Sequence, residues 1–246
     1  MFAPVVNWST IRLIITMAKM IGRESRNIDY VIYLSQALID SDVYPPLPAG
    51  FHIYGEDKNE TYFIKFKKNL YGKCQAAENW FDMFKNGLED EGFKQNKVDS
   101  CLFVRKNCIV ICYVDDCCIL SKDKEKIDAL LINLSKKFKL TNEGDVKSYL
   151  GMNVIKYPNV TITMRQPVII DRILNIFGIC NEYKIHDTPA NVILTRYEYG
   201  NMRKQEWNYS SAIIQINYLT GTNRPGILFG VNQCAKYSMD PKQYHE

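Results

Sequence analysis

Apolar residues return at two different periods along this chain, and each change of period marks an element. Ile11, Ile14, Ile15 and Ala18 recur at helical spacing, so residues 9–21 read as a helix capped by Ser9 or Thr10 and stopped by Gly22. Residues 27–34, rich in Ile, Tyr and Val, read as a strand with one acid, Asp29, inside it. Pro45, Pro46, Pro48 and Gly50 make a turn-rich connection, after which residues 62–66 resume as a strand with a basic edge at Lys65, Lys67 and Lys68. Trp80, Phe81, Phe84 and Leu88 share one face of a packing helix over 76–91, closed by Gly92. Residues 101–105 and 108–120 supply three more strands. A charged helix follows, with Ile127, Leu130, Leu131, Leu134 and Phe138 inward and Lys124, Lys126, Lys136 and Lys137 outward.

Beyond Gly144 the pattern changes to a short hairpin, residues 148–156 and 160–164 around Tyr157-Pro158-Asn159. The rest is mostly helical: 168–177 capped by Gly178, a polar loop over 187–208, then helices at 210–219 and 227–237. No internal repeat or low-complexity tract is present. The expected architecture is α+β, an antiparallel sheet backed by helices over 1–147 and a smaller, mostly helical part over 148–246.

Within the apolar run from Cys108 to Leu120, Tyr113-Val114-Asp115-Asp116 inserts two adjacent carboxylates. Burying an uncompensated charge is costly, so something cationic is expected to meet them at the tip of a hairpin; the plainer reading is a tip that is merely solvated. Two-metal phosphoryl transfer needs ions roughly 4 Å apart, held by several converging carboxylates. Asp29 is the obvious third ligand if its strand pairs beside the hairpin; an Asp near a strand end otherwise caps or faces water.

Composition narrows the classes. With 246 residues and 46% hydrophobic content the chain can bury a real core. Its apolar stretches are cut by charges short of the roughly 20 residues a bilayer span requires, and the stretch from Ser9 to Met20 is broken by Arg12 and Lys19 with no cleavage pattern after it. An intracellular protein without a membrane partner is expected. The eight cysteines, at positions 74, 101, 108, 112, 117, 118, 180 and 234, include no Cys-x-x-Cys pair and accompany only three histidines, so neither a zinc site nor a disulfide framework is indicated. A net charge of +4 permits a polyanionic partner without demanding one.

A longer series of motifs carries a resemblance. Ala3-Pro4-Val5-Val6, Asp29 with Tyr44, Gly50-Phe51, Leu70-Tyr71-Gly72, Gln75-Ala76, Trp80, Gly92-Phe93, Cys101-Leu102-Phe103 and Tyr113-Val114-Asp115-Asp116 follow one another in order. Leu150-Gly151, Phe177-Gly178, Thr188-Pro189, Tyr218-Leu219 and Arg224-Pro225 continue it. The chain resembles the reverse transcriptase of copia-type long-terminal-repeat retrotransposons over nearly its whole length. That resemblance implies a right-hand polymerase palm with a smaller thumb-like part and fingers largely missing. It implies that Asp29, Asp115 and Asp116 are the catalytic, metal-binding acids for two Mg²⁺ or Mn²⁺ ions and that Tyr113 lies near the primer end. Gln75 would sit close to the incoming nucleotide, and Leu150 and Gly151 would grip the primer. The partners implied are an RNA or DNA template with its primer, deoxynucleoside triphosphates, and other parts of a retroelement polyprotein.

Departures from the family pattern matter as much. Only two residues precede Ala3, where the family has a finger region. The family stretch Leu-Lys-Gln-Ala-Pro-Arg appears as Lys73-Cys74-Gln75-Ala76-Ala77-Glu78, which loses basic positions facing a polyanion. Five residues after Asp29 the family carries an aromatic that screens the sugar; here it is Leu34, and Tyr33 beside it is expected to point the other way along a strand. The chain ends at Glu246, before the family's ribonuclease H domain. The expectation is an RNA-directed DNA polymerase fragment, weak or inactive in isolation. A non-catalytic nucleic-acid-binding module and a decayed retroelement product are the alternatives.

Overall fold

The computed structural model describes residues 3–51, 62–73, 75–179, 187–190, 192–196, 199–204 and 206–245; Cys74 and Cys180 lie outside them. The chain divides into two compact units, residues 1–149 and 150–246.

The first unit is built on a six-stranded sheet. Helix α1 (Trp8–Met20) leads into strand β1 (Glu24–Tyr30), and a 3₁₀ turn, Tyr33–Gln36, follows. Helix α2 (Ala76–Asp90) precedes β2 (Lys94–Gln95), β3 (Leu102–Arg105), β4 (Cys108–Tyr113) and β5 (Asp116–Ser121). Helix α3 (Lys124–Lys137), β6 (Leu140–Gly144) and the two-residue β7 (Ser148–Tyr149) complete it. The order β2-β3-β4-β5-β1-β6 is antiparallel at every pairing, so β1 sits inside the sheet between β5 and β6. This is the α+β arrangement of antiparallel sheet and helices that the sequence pattern predicts.

Alternation sends the two faces of β1 to different places. Ile28 and Tyr30 enter a core with Trp80, Phe84 and Leu88 of α2 and Ile127, Leu130 and Leu134 of α3. The Tyr30 ring meets those of Trp80, Phe84 and Phe138 edge-on at centroid distances of 5.2, 5.5 and 5.6 Å. The other face carries Ser25, Asn27 and Asp29. Next to it Cys118, Ile111 and Leu120 are buried too, so the sheet is covered on both sides. Cys101, Cys108, Cys112 and Cys117 are buried thiols, as expected of small core residues.

Several boundaries differ from those read in the sequence. Strand β1 begins at Glu24 and stops at Tyr30, because Ile32 takes a left-handed φ of 49° and turns the chain. Residues 62–66 form no continuous strand: Phe63 and Lys68 make isolated bridges to Pro46 and Leu38. Helix α1 starts at Trp8 rather than after Ser9 or Thr10, and its capping group is remote: Asp99 Oδ2 accepts from Asn7 N at 3.0 Å and from Thr10 Oγ1 at 2.6 Å.

The second unit contains the hairpin β8 (Met152–Lys156) and β9 (Ile162–Arg165), then α4 (Pro167–Phe177), α5 (Tyr209–Thr222) and α6 (Leu228–Ala235). Pro167 starts α4 and Gly178, at φ 61°, ends it. Tyr209, Ile213 and Val231 form its small core, with Trp207, Ile216 and Ile227 against them. The expected hairpin from Ser148 is shorter, because Leu150 and Gly151 are both left-handed, at φ 49° and 74°, and break the strand. Among the described residues no helix is long and apolar enough to cross a membrane.

Candidate active site

The acids meet at one end of the sheet. Antiparallel pairing sets Asp29 of β1 directly opposite Asp116 of β5, and Tyr113 of β4 opposite Asp116 on its other side. Direct cross-strand partners project from the same face with Cβ atoms roughly 5 Å apart, so the carboxylates of Asp29 and Asp116 share a face. Asp115 lies in the two-residue loop that closes β4 to β5. All three, and Tyr113, are half-buried.

Neighbouring groups hold that loop in an unfavourable shape. Val114 has φ 62°, a region a β-branched side chain seldom enters. Its carbonyl accepts from Trp80 Nε1 at 3.0 Å and from Cys112 Sγ at 3.5 Å. Tyr30 N donates to the Asp115 carbonyl at 3.1 Å, and the Tyr149 hydroxyl to the Asp116 carbonyl at 3.2 Å. Each backbone carbonyl from Val114 to Asp116 is therefore tied to a buried aromatic residue.

The electrostatics follow from the crowding. Burial, then the charges of Asp115, Asp29 and Glu143, push the Asp116 carboxyl from an ordinary 3.8 up to about 6. Burial likewise raises Asp115, with Asp29 adding to it, against hydrogen bonds from the backbone of Asp115 and Asp116. Glu143 arrives on β6, where its carboxylate takes a short hydrogen bond from the Asn27 amide. Among the described residues no cation pairs with Asp29, Asp115 or Asp116.

A divalent ion is what such a set would accept. The donors are all oxygen, and the carboxylates repel one another in a partly buried site, which suits Mg²⁺ or Mn²⁺ and not a thiolate-seeking metal. Among the described residues no three His, Cys, Asp or Glu groups already stand at metal-binding spacing. The carboxylates fit such an ion in chemistry, and the antiparallel register brings Asp29 and Asp116 to directly opposed positions.

The other predicted residues are distributed more widely. Gln75 immediately precedes α2, and its amide donates to Ser41 Oγ at 3.1 Å. Leu150 and Gly151 fall in the second unit, where the Leu150 carbonyl accepts from the Tyr218 hydroxyl at 3.1 Å. Tyr33 corrects the strand argument made for it. It starts a 3₁₀ turn, so alternation does not apply; Leu34 is buried in the core, whereas the Tyr33 ring meets Tyr71 and Trp80 at 5.8 and 5.7 Å. Burial and then the charge of Asp115 raise the Tyr33 phenol pKa, which puts this ring within electrostatic reach of the acids.

Beyond its geometry, the chain matches the family of reverse transcriptases (RNA-dependent DNA polymerases) over residues 1–191. The chain belongs to the reverse transcriptase family. Its relatives are retrovirus-related Pol polyproteins of transposons. It is 27% identical over 258 residues to that of TNT 1-94 from Nicotiana tabacum, covering 99% of this chain and 19% of the relative. The transposon RE1 protein of Arabidopsis thaliana is 27% identical over 249 residues, at 99% and 17% coverage, and that of RE2 24% identical over 249 residues at the same coverage. This reverse transcriptase chain thus spans about a fifth of the length of the curated relatives it matches. No solved structure matches it.

Three residues that surround the acids are not marked as such by the sequence pattern. The helical spacing marks Trp80 as a core residue and the motif series as a family position, but neither says where its indole N–H ends. Tyr149 falls in the first strand read for the 148–156 hairpin, where nothing says that its hydroxyl reaches the Asp116 carbonyl. Glu143 belongs to the edge strand Leu140–Gly144, which has no apolar alternation to announce it.

Proposed function

We propose that residues 1–149 are the palm of an RNA-directed DNA polymerase, joining a deoxynucleoside triphosphate to a primer 3′-hydroxyl, and that residues 150–246 are its thumb-like part. The observation that carries this is the direct cross-strand pairing of Asp29 with Asp116 beside the strained Asp115 turn. In this reading Asp29 and Asp115 hold two divalent ions and Asp116 assists. When bound, such ions activate the attacking oxygen and neutralise charge on the leaving pyrophosphate. Trp80, Tyr30 and Tyr149 keep the acid loop from relaxing, so the carboxylates stay aimed without reorganisation. Tyr113 flanks Asp116 on the primer side, Gln75 faces the nucleotide, and Leu150 and Gly151 position the primer. Template and primer, RNA or DNA, would be held largely through their phosphates, a salt-sensitive contact.

The same proposal includes weak turnover for this chain by itself. Glu78 puts an acidic group into the first turn of α2, where a triphosphate would be repelled and a basic residue would attract it. The test is primer extension on poly(rA)·oligo(dT) with Mg²⁺ or Mn²⁺. Slow incorporation, cut roughly a hundredfold or more by Asp115→Asn, is the expected result. Incorporation indifferent to that substitution would overturn the assignment of the acids; rapid processive synthesis would overturn the weak turnover. Duplex binding with no incorporation in either metal would favour a binding module instead.

A further inference from the structure

At the end of the sheet away from the acids lies a cavity of about 460 Å³ lined by Arg23, Gly92, Lys94, Val104, Arg105, Lys106, Asn107 and Ile109. Four of these carry positive charge and none carries negative charge. The β4 strand separates it from the acid loop: Cys108–Tyr113, at about 3.3 Å per residue, puts roughly 20 Å between the two ends.

The arginines are held in place by their own contacts. Arg23 leads into β1 and donates through Nη1 to the Asn107 carbonyl at 3.0 Å, in the β3–β4 turn. Arg105 donates through Nη1 to the Glu91 carbonyl at 2.7 Å and lies over the Phe93 ring at 4.7 Å. Both guanidiniums bear on the start of β4, where burial raises the pKa of the Cys108 thiol and their charges pull it back. The Glu91 side chain does not line the cavity, and its carboxylate accepts from Asn133 Nδ2 at 3.2 Å.

Two observations separate this cavity from an ordinary solvated basic edge. The Arg23 Nε–H is buried and has no hydrogen-bond partner, a state that folded proteins seldom leave a donor in. Lys94 and Lys106, both exposed, extend the same charge outward with no ion pair among the described residues. A buried orphan donor, a second fixed guanidinium and two mobile ammonium groups call for an acceptor with several oxygens and more than one negative charge. A lone carboxylate would leave most of that charge unmatched, whereas a phosphate matches both the fork geometry and the charge.

We infer that the Arg23–Lys94–Arg105–Lys106 cavity is a second anion site, taking the phosphates of a polyanion independently of the metal-binding acids. The phosphates can belong to a free polyphosphate or to a nucleic-acid strand. Calorimetry of the whole chain with inorganic tripolyphosphate at low salt, with a chelator present so that no metal recruits the anion to the acids, tests the inference. Saturable binding is expected, weakened roughly tenfold or more by Lys94→Ala with Lys106→Ala, two exposed side chains the fold does not use. Arg23→Gln should weaken it further, with circular dichroism reporting whether the β3–β4 turn has survived. No binding by the unmodified protein, or binding unchanged in the lysine double variant, would overturn the site. A labelled DNA duplex assigns the source. Duplex binding that falls with the double variant and is displaced by tripolyphosphate points to strand phosphates; duplex binding indifferent to it, beside tripolyphosphate binding that is not, points to a free polyphosphate.

Discussion

Val114 sits at φ 62° between two strands, a conformation that costs on the order of 1–3 kcal/mol for a residue of its type. Among the groups that offset the cost is Trp80, whose indole N–H meets the Val114 carbonyl at 3.0 Å. Trp80→Phe keeps an aromatic against Tyr30 and Phe84 but removes that donor. It is expected to lower unfolding free energy by about 1–2 kcal/mol in urea denaturation, with the Cys112 thiol retaining part of the contact. A cost well below this would mean that the turn is held by its strands alone. At this scale the sequence was generous with the acids: two carboxylates inside an apolar run announce a charge problem that a fold must solve. It was silent on the Trp80 indole N–H, because apolar spacing reports which face is buried and not what a polar edge on that face touches.

The elements were legible wherever one period persisted. Helices α2 and α3 match their patterns closely because each buries one clear face, and β4 and β5 because they are buried on both faces and read as continuous apolar runs. Strand β1 ends earlier than its composition suggests: residues 31–34 keep strand-like composition, yet the left-handed Ile32 turns the chain and moves Tyr33 off the ladder. The start of α1 escaped for a different reason. Its capping acid, Asp99, is remote in sequence and accepts from Asn7, Thr10 and Cys101. Burial alone would raise the Asp99 pKa; those hydrogen bonds outweigh it and leave it below 3.8. An acid lowered on folding adds stability above its unfolded pKa and loses it as pH falls through the folded value. Asp99→Ala should therefore cost about 2–3 kcal/mol at pH 7 and progressively less in acid below about pH 4, read from urea midpoints across pH. A loss that does not change with pH would show that the carboxylate's charge is not what anchors α1.

An acid cluster stands at one end of the six-stranded sheet and a basic cavity at the other, in a reverse transcriptase chain that spans about a fifth of its curated relatives. The cluster's convergence was only half legible, because nothing local in the strand bearing Asp29 says that it inserts between β5 and β6. If Asp29, Asp115 and Asp116 act together on a divalent ion, Mn²⁺ binding followed by electron paramagnetic resonance will depend on pH and on each acid. Asp116, raised to about 6, is disfavoured as a charged group in the folded chain, so metal-free stability falls as pH rises from about 4 to 6, and Mn²⁺ affinity climbs through the same window as the proton leaves. Mn²⁺ should be held at pH 7.5, released near pH 5, and bound at least roughly tenfold more weakly by Asp29→Asn, a variant that relieves repulsion and should fold at least as well. Equal Mn²⁺ affinity in the two proteins, or affinity that ignores pH across that window, would contradict joint action by the three acids.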